Sequence, residues 1–344
     1  MSTRTNWVDY AKAIGIILVV YGHVARGLFN AGIEMPTSLY RLADSVVYSF
    51  HMPLFFFLSG LFFYHSFSKR GGIGLTLNKV DAIVYPYLVW SILQGSVEAL
   101  LSNYTNGSVT LSEVFTLWEP RAQFWFLYAL FFVFVSSCAI FYFVSEKYAA
   151  LVFILACIIY LSSSAIPNIR PLGFIANNLV YFILGIIFTK YDFSRIFSSK
   201  SALLITVFAF ISSQYLFHGY LGKLYTDKGV ESLLLAFVSI LFVVSLSIAI
   251  TKVPSRFLAY IGASSMAIYL MHILVGSGAR VILNKVFSID ALVIHLIVGC
   301  LAGVLLPLLG LKIINTLKIP IVFSAPIGKW LEFTYNKALQ RTSR

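Results

Sequence analysis

Apolar stretches close to twenty residues long recur from the start of this chain to about residue 311, and that recurrence restricts the fold more than any motif does. An α-helix rising 1.5 Å per residue crosses a hydrocarbon layer of about 30 Å in roughly twenty residues. The pattern predicts ten spans, at about 10–29, 45–64, 81–101, 123–144, 149–166, 172–189, 201–217, 231–250, 257–275 and 291–311. Polar or turn-forming groups separate them, among them Asn30-Ala31-Gly32, Lys69-Arg70-Gly71-Gly72, Asn103 to Gly107, Pro167-Asn168, Lys252-Val253-Pro254 and Gly276-Ser277-Gly278. With 59% hydrophobic residues, only 11% charged and a mean hydropathy of +0.88, a soluble domain is excluded. The expected fold is all-α: a polytopic membrane bundle of about ten helices over residues 1–311, then a basic amphipathic tail over 312–344. The first run lacks a small-residue cleavage site and reads as a retained span. No repeat and no segment polar enough for an appended soluble domain is evident. Cys138, Cys157 and Cys300 all fall in apolar runs, with neither metal-ligand spacing nor a disulfide framework.

Charge orients the bundle. With the N-terminus inside, seventeen of the 25 basic residues fall on the cytoplasmic side and eight outside, which predicts both termini in the cytoplasm. The net charge of +12 is then mainly a topology signal. In the tail, basic residues interleave with Phe323, Trp330, Phe333 and Tyr335, a pattern suited to anionic lipid headgroups. The charges flank spans instead of forming a basic domain, so no nucleic-acid partner is expected.

Lys12 and His23 are eleven residues apart in the first span. Eleven steps of 100° return to within about 20° of the start, so both side chains share one helix face, with a rise of about 16 Å between them. One cation therefore lies near a membrane surface and one imidazole well inside. Ionisable groups within a span are costly and face a bundle interior or a wet cavity, which marks them as functional candidates. Asp9 is placed to pair with Lys12. The plainer alternative is a snorkelling lysine and a hydrogen-bonded core histidine.

Two histidines match in depth. His23 lies about six residues below the outer end of the first span, and His51 about six below that of the second, so the two could share a cavity as base and orienter. Taken singly, His65, His218, His272 and His295 read as structural. Asp9, Asp81 and Glu98 sit near span ends, and this argues against ion-coupled transport, which places carboxylates at the midplane. The sequons Asn103-Tyr104-Thr105 and Asn106-Gly107-Ser108 carry no weight alone. No Gly-rich phosphate loop, HExxH or Ser-His-Asp order occurs, so no metal is expected and phosphate recognition falls to the cytoplasmic Lys/Arg edge.

The run Trp7-Val8-Asp9-Tyr10-Ala11-Lys12 through Tyr21-Gly22-His23 resembles the first helix of the acyltransferase-3 family of integral membrane acyltransferases. That helix carries a basic residue, ten intervening residues and a histidine. Phe50-His51-Met52-Pro53-Leu54-Phe55-Phe56-Phe57-Leu58-Ser59-Gly60 is similar to the family's second-helix signature, in the form of its sugar O-acetylating branch. Phe124-Trp125-Phe126-Leu127, Tyr181-Phe182-Ile183-Leu184-Gly185 and Ile268-Tyr269-Leu270-Met271-His272 match further blocks in order, so the resemblance covers nearly the whole chain. Two departures stand out. Lys12 replaces the family's common arginine and loses bidentate phosphate geometry. The basic cluster after the second span is thin, with only Lys69, Arg70 and Lys79.

The resemblance implies an O-acetyltransferase of the bacterial cytoplasmic (inner) membrane. Acetyl-CoA is the implied donor and a cell-envelope polysaccharide or lipid-linked sugar the acceptor. The polyanionic donor needs a basic inner rim, for which Lys12, Lys69, Arg70 and Lys79 are the candidates. His23 would take the proton of a sugar hydroxyl as it attacks the thioester, or relay the acyl group itself, and His51 would orient His23 or bind the acceptor. Trp125 and His272 are candidates for acceptor contacts, Asp9 and Ser59 for orientation. The competing class is a transporter or flippase for an envelope polysaccharide or lipid. Neither the sugar nor the oligomeric state follows from the sequence.

Overall fold

A computed structural model describes residues 6–102, 109–166, 169–325, 327, 328 and 330. Among these the secondary structure is helical, without strands. The helices are α1 (Asn6–Asn30), α2 (Thr37–Tyr48), α3 (His51–Gly60), α4 (Phe63–Lys79), α5 (Tyr85–Leu100), α6 (Leu111–Val114), α7 (Trp125–Phe143), α8 (Ala149–Leu161), α9 (Leu172–Lys190), α10 (Lys200–Gln214), α11 (Val230–Ile250), α12 (Arg256–Ala263), α13 (Ser265–Val281) and α14 (Leu292–Thr316). Eight helical segments are long and apolar enough to cross a membrane. The expected third and fifth spans fall short. There α5 has 16 residues, preceded by a π-turn at Val80–Val84, and α8 has 13, about 20 Å of helix.

The surface is apolar where a soluble protein would be polar. On α8, Val152, Ala156 and Tyr160 are buried at four-residue spacing, while Leu151, Ile154, Leu155 and Ile158 are exposed. One stripe packs on protein and the rest suits lipid.

Several boundaries differ from the sequence reading; the expected break at Gly276-Ser277-Gly278, for one, lies inside α13, which carries the ninth span past residue 275. α2 and α3 form one stretch from Thr37 to Gly60, so the second span starts eight residues earlier than expected and includes Asp44. The polar group at Lys69–Gly72 is not a loop. α4 runs through it and is interrupted at Gly71, whose φ of 66° and ψ of 174° suit only a residue without Cβ. The tail is also not free over its whole length. Tyr85 donates its hydroxyl to the Ile321 carbonyl (2.7 Å), Trp90 Nε1 donates to the Val322 carbonyl (2.9 Å), and the Gly328 N–H donates to Asp81 Oδ1 (2.6 Å). Phe323 stacks on Trp90, with ring centroids 6.1 Å apart and an interplanar angle of 21°. Residues 331–344, including Phe333 and Tyr335, and the two sequons lie outside the described residues.

The helices form two compact units. The first takes the described residues of 1–58 and 188–313, the second those of 59–102, 107–187 and the chain from Ile314. In the first unit, α1 packs against α2, α11, α12 and α13. Its apolar residues Trp7, Ala11, Ile16, Val20, Ala25 and Leu28 are buried on several faces. Helix α1 ends in a Schellman turn: Gly32 has φ of 76°, its N–H bonds the Phe29 carbonyl, and the Ile33 N–H bonds that of Leu28. α12 begins at Ser255, whose Oγ accepts the Leu258 N–H and whose own N–H donates to the Tyr10 hydroxyl. In the second unit, α4 packs against α7.

Candidate functional site: the histidine face of the first helix

Because α1 is enclosed by other helices, a polar side chain on its inner face meets protein and not lipid. His23 is half-buried there, five turns into the helix. Its ring neighbour is His272 of α13, with centroids 5.0 Å apart and planes at 60°. His272, His51 and Arg26 are the ionisable groups close enough to act on the charge of His23.

The two partner histidines are held alike. His51 Nδ1–H donates to the Val47 carbonyl at 2.7 Å, and His272 Nδ1–H donates to the carbonyls of Tyr269 (2.8 Å) and Ile268 (3.1 Å). Each bond reaches back one helical turn and leaves Nε2 as the ring's acceptor. Both residues are 1% exposed. The geometry divides their roles differently from the depth argument. His51 lies edge-on to the Tyr48 ring at 4.5 Å and 84°, and His272 is the imidazole beside His23.

One turn beyond His23 lies a cluster that sequence reasoning missed. Arg26 donates from Nε to Asp44 Oδ1 (2.7 Å), and from Nη2 to Asp44 Oδ2 (2.9 Å) and the Tyr225 hydroxyl (2.9 Å). Its guanidinium carbon sits 3.3 Å from the centroid of the Tyr48 ring. The Tyr225 N–H donates to Ser45 Oγ at 2.7 Å, which ties the loop after α10 to α2. Gly22 makes room for this arrangement, since a Cβ there would meet the Tyr48 ring at 2.8 Å. A signal was available: Arg26 follows His23 by three residues and so shares its face, and Asp44 directly precedes the expected second span. Tyr225, about 200 residues away, gave none.

The remaining sequence candidates divide between the two units. Lys12 Nζ lies 3.5 Å from Asp9 Oδ1, the pairing expected from their spacing. In the second unit, Lys69 and Arg70 are exposed and Arg70 donates to Asn78 Oδ1 (2.6 Å). Lys79 lies 4.2 Å from the Phe134 ring centroid, and burial together with the Arg70 guanidinium pushes it down to about 8. At neutral pH it remains largely cationic. Ser59 is half-buried, one residue before Gly60, where the Phe182 carbonyl approaches closely enough to exclude a Cβ. Trp125 stacks nearly parallel to Phe174 at 6.0 Å and 17°, so one of its faces is already covered. His295 donates from Nε2 to the Ile289 carbonyl at 2.7 Å, while His65 is exposed. Among the described residues no three His, Cys, Asp or Glu side chains converge as metal ligands.

This arrangement offers groups for proton chemistry: one imidazole with a second beside it, a turn away from a fixed guanidinium. A family model described as an acyltransferase domain matches residues 5–312. No curated protein and no solved structure matches the chain.

Proposed function

We propose, for a chain that belongs to the acyltransferase-3 family and is therefore a membrane acyltransferase, that acetyl is the group it moves. The donor is cytoplasmic acetyl-CoA. The acceptor is a sugar hydroxyl on a bacterial cell-envelope polysaccharide or its lipid-linked precursor, handled at the inner membrane.

One observation carries the mechanism: His23 is a half-buried imidazole on α1 and has His272 beside it. In the proposed step His23 takes the proton from the acceptor hydroxyl while that oxygen attacks the thioester carbonyl. The carbon–sulfur bond breaks as the carbon–oxygen bond forms, and the proton passes from His23 to the departing thiolate. Lys12 near the start of α1, and separately Lys69, Arg70 and Lys79 of the second unit, are the cations proposed to hold donor phosphates by charge. Arg26 is committed to Asp44 and Tyr225, so its part is to fix the wall beside His23.

His23→Ala should lower transfer by about 10²–10⁴-fold while acetyl-CoA binding, followed by calorimetry, is retained. Near-normal turnover would return His23 to a structural role. Comparing glycans from cells with and without the gene should reveal one missing ester and identify the sugar. A transporter of the same lipid-linked sugars would neither hydrolyse acetyl-CoA nor transfer from it.

A further inference from the structure

We infer that His272 is the positioning residue for His23: its buried Nε2 accepts the N–H of His23 and holds that ring in one tautomer, with the opposite nitrogen turned to the acceptor hydroxyl. The inference rests on the reading of His23 as the base.

The tautomer of His272 follows from its own helix. With Nδ1–H donated to the Tyr269 and Ile268 carbonyls, Nε2 carries the lone pair. That atom is buried and has no hydrogen-bond partner, on a residue only 1% exposed. A buried acceptor left unmet costs about 1–3 kcal/mol, so such atoms normally have a partner or a use. Tyr269, whose ring is 6.2 Å away and tilted by 39°, supplies its carbonyl to Nδ1 and lies on the same helix. The ring across the helix interface is His23, at 5.0 Å and 60°. Two imidazoles joined by an N–H···N bond of ordinary length have centroids about 5 Å apart. The pair is at bonding separation, and a turn of the His23 ring closes the bond.

Chemistry explains why a neutral partner suits this place. A base needs its lone pair aimed at the substrate, and a neutral imidazole has two tautomers of which only one is aimed correctly. When His23 receives the hydroxyl proton it carries two N–H groups. One stays on His272 Nε2, and the other faces the reacting oxygen and then the thiolate sulfur. The proton that arrives is the proton that leaves, and the proton shared with His272 does not move. A carboxylate would do the same orienting but would bring an extra charge into a span, at greater desolvation cost. His51 is built alike, but its ring is set against Tyr48.

Two variants separate positioning from packing. The amide oxygen of His272→Gln reaches the place of Nε2, whereas His272→Asn reproduces only the Nδ1 position. His272→Asn should lose at least about tenfold in kcat with KM for acetyl-CoA within about twofold, and His272→Gln should recover most of it. At constant pH, ¹⁵N spectra of the detergent-solubilised protein, with His23 assigned by its loss in His23→Asn, should show one His23 tautomer in wild type and His272→Gln. In His272→Asn the same resonances should report a mixture. Wild-type kcat in His272→Asn, or equal impairment of both variants with an unchanged His23 tautomer, would overturn the positioning role. Where a variant does not fold, an equal mixture of His23 tautomers in wild type overturns it as well. Normal turnover in His23→Ala overturns the base itself, and is thereby distinct from failure of the His272 role.

Discussion

Lys12 and His23 share a face of α1 but stand in different company. Lys12 and Asp9 are each about a third exposed, so their ion pair contributes about 0–1 kcal/mol and leaves Lys12 available to an anion. Lys12→Ala should therefore raise KM for acetyl-CoA with little change in kcat, and Lys12→Arg should restore or improve binding. Equal donor affinity in wild type and Lys12→Ala would leave Lys12 as a topology marker. Arg26 is in the opposite situation. Its side chain and that of Asp44 are 29% and 12% exposed, and Arg26→Ala leaves a carboxylate unmatched inside a span. The expected cost is about 1–3 kcal/mol in thermal unfolding in detergent, with part recovered in the Arg26→Ala/Asp44→Ala double variant. Losses that simply add would show that the pair is not coupled.

Helix elements meet at glycines in two places that matter for this site. A Cβ on Gly262 would overlap the Asp9 carbonyl oxygen, so α12 lies on the first turn of α1 with no room for a side chain. On α14, Gly299 and Gly303 face Val24 and Val20 of α1, where a Cβ would meet methyl groups at 2.8 and 2.7 Å. Gly262→Ala should lower the unfolding temperature markedly by forcing the helices apart. Gly278→Ala, with nothing within 4 Å, should be neutral or stabilising by up to about 1 kcal/mol. Equal melting temperatures for the two variants would contradict the close contact.

At the scale of the whole molecule, the split of basic residues predicts that a reporter after Arg344 is active only as a cytoplasmic fusion, and one in the 102–122 loop only as an external fusion. The reverse labelling would place Lys12 away from cytoplasmic acetyl-CoA and remove the donor argument. What the sequence by itself determined is the part that follows from local periodicity. A helix with 3.6 residues per turn and a bilayer of fixed thickness are enough to read an all-α membrane protein, and the spacing of Lys12, Asp9 and His23 is enough to place them on one face of α1. The long apolar runs were legible for the same reason, while the short α8 was read too long because hydropathy does not register where a helix stops. Pairing between distant segments has no such signature. That His272 and not His51 stands beside His23, that Arg26 is clamped by Asp44 and Tyr225, and that Ile321, Val322 and Gly328 are tied to Tyr85, Trp90 and Asp81 are outcomes of tertiary packing. Equal depth in two spans says how far two side chains sit from a surface. Only the rotation and contact of the helices decides which of them meet.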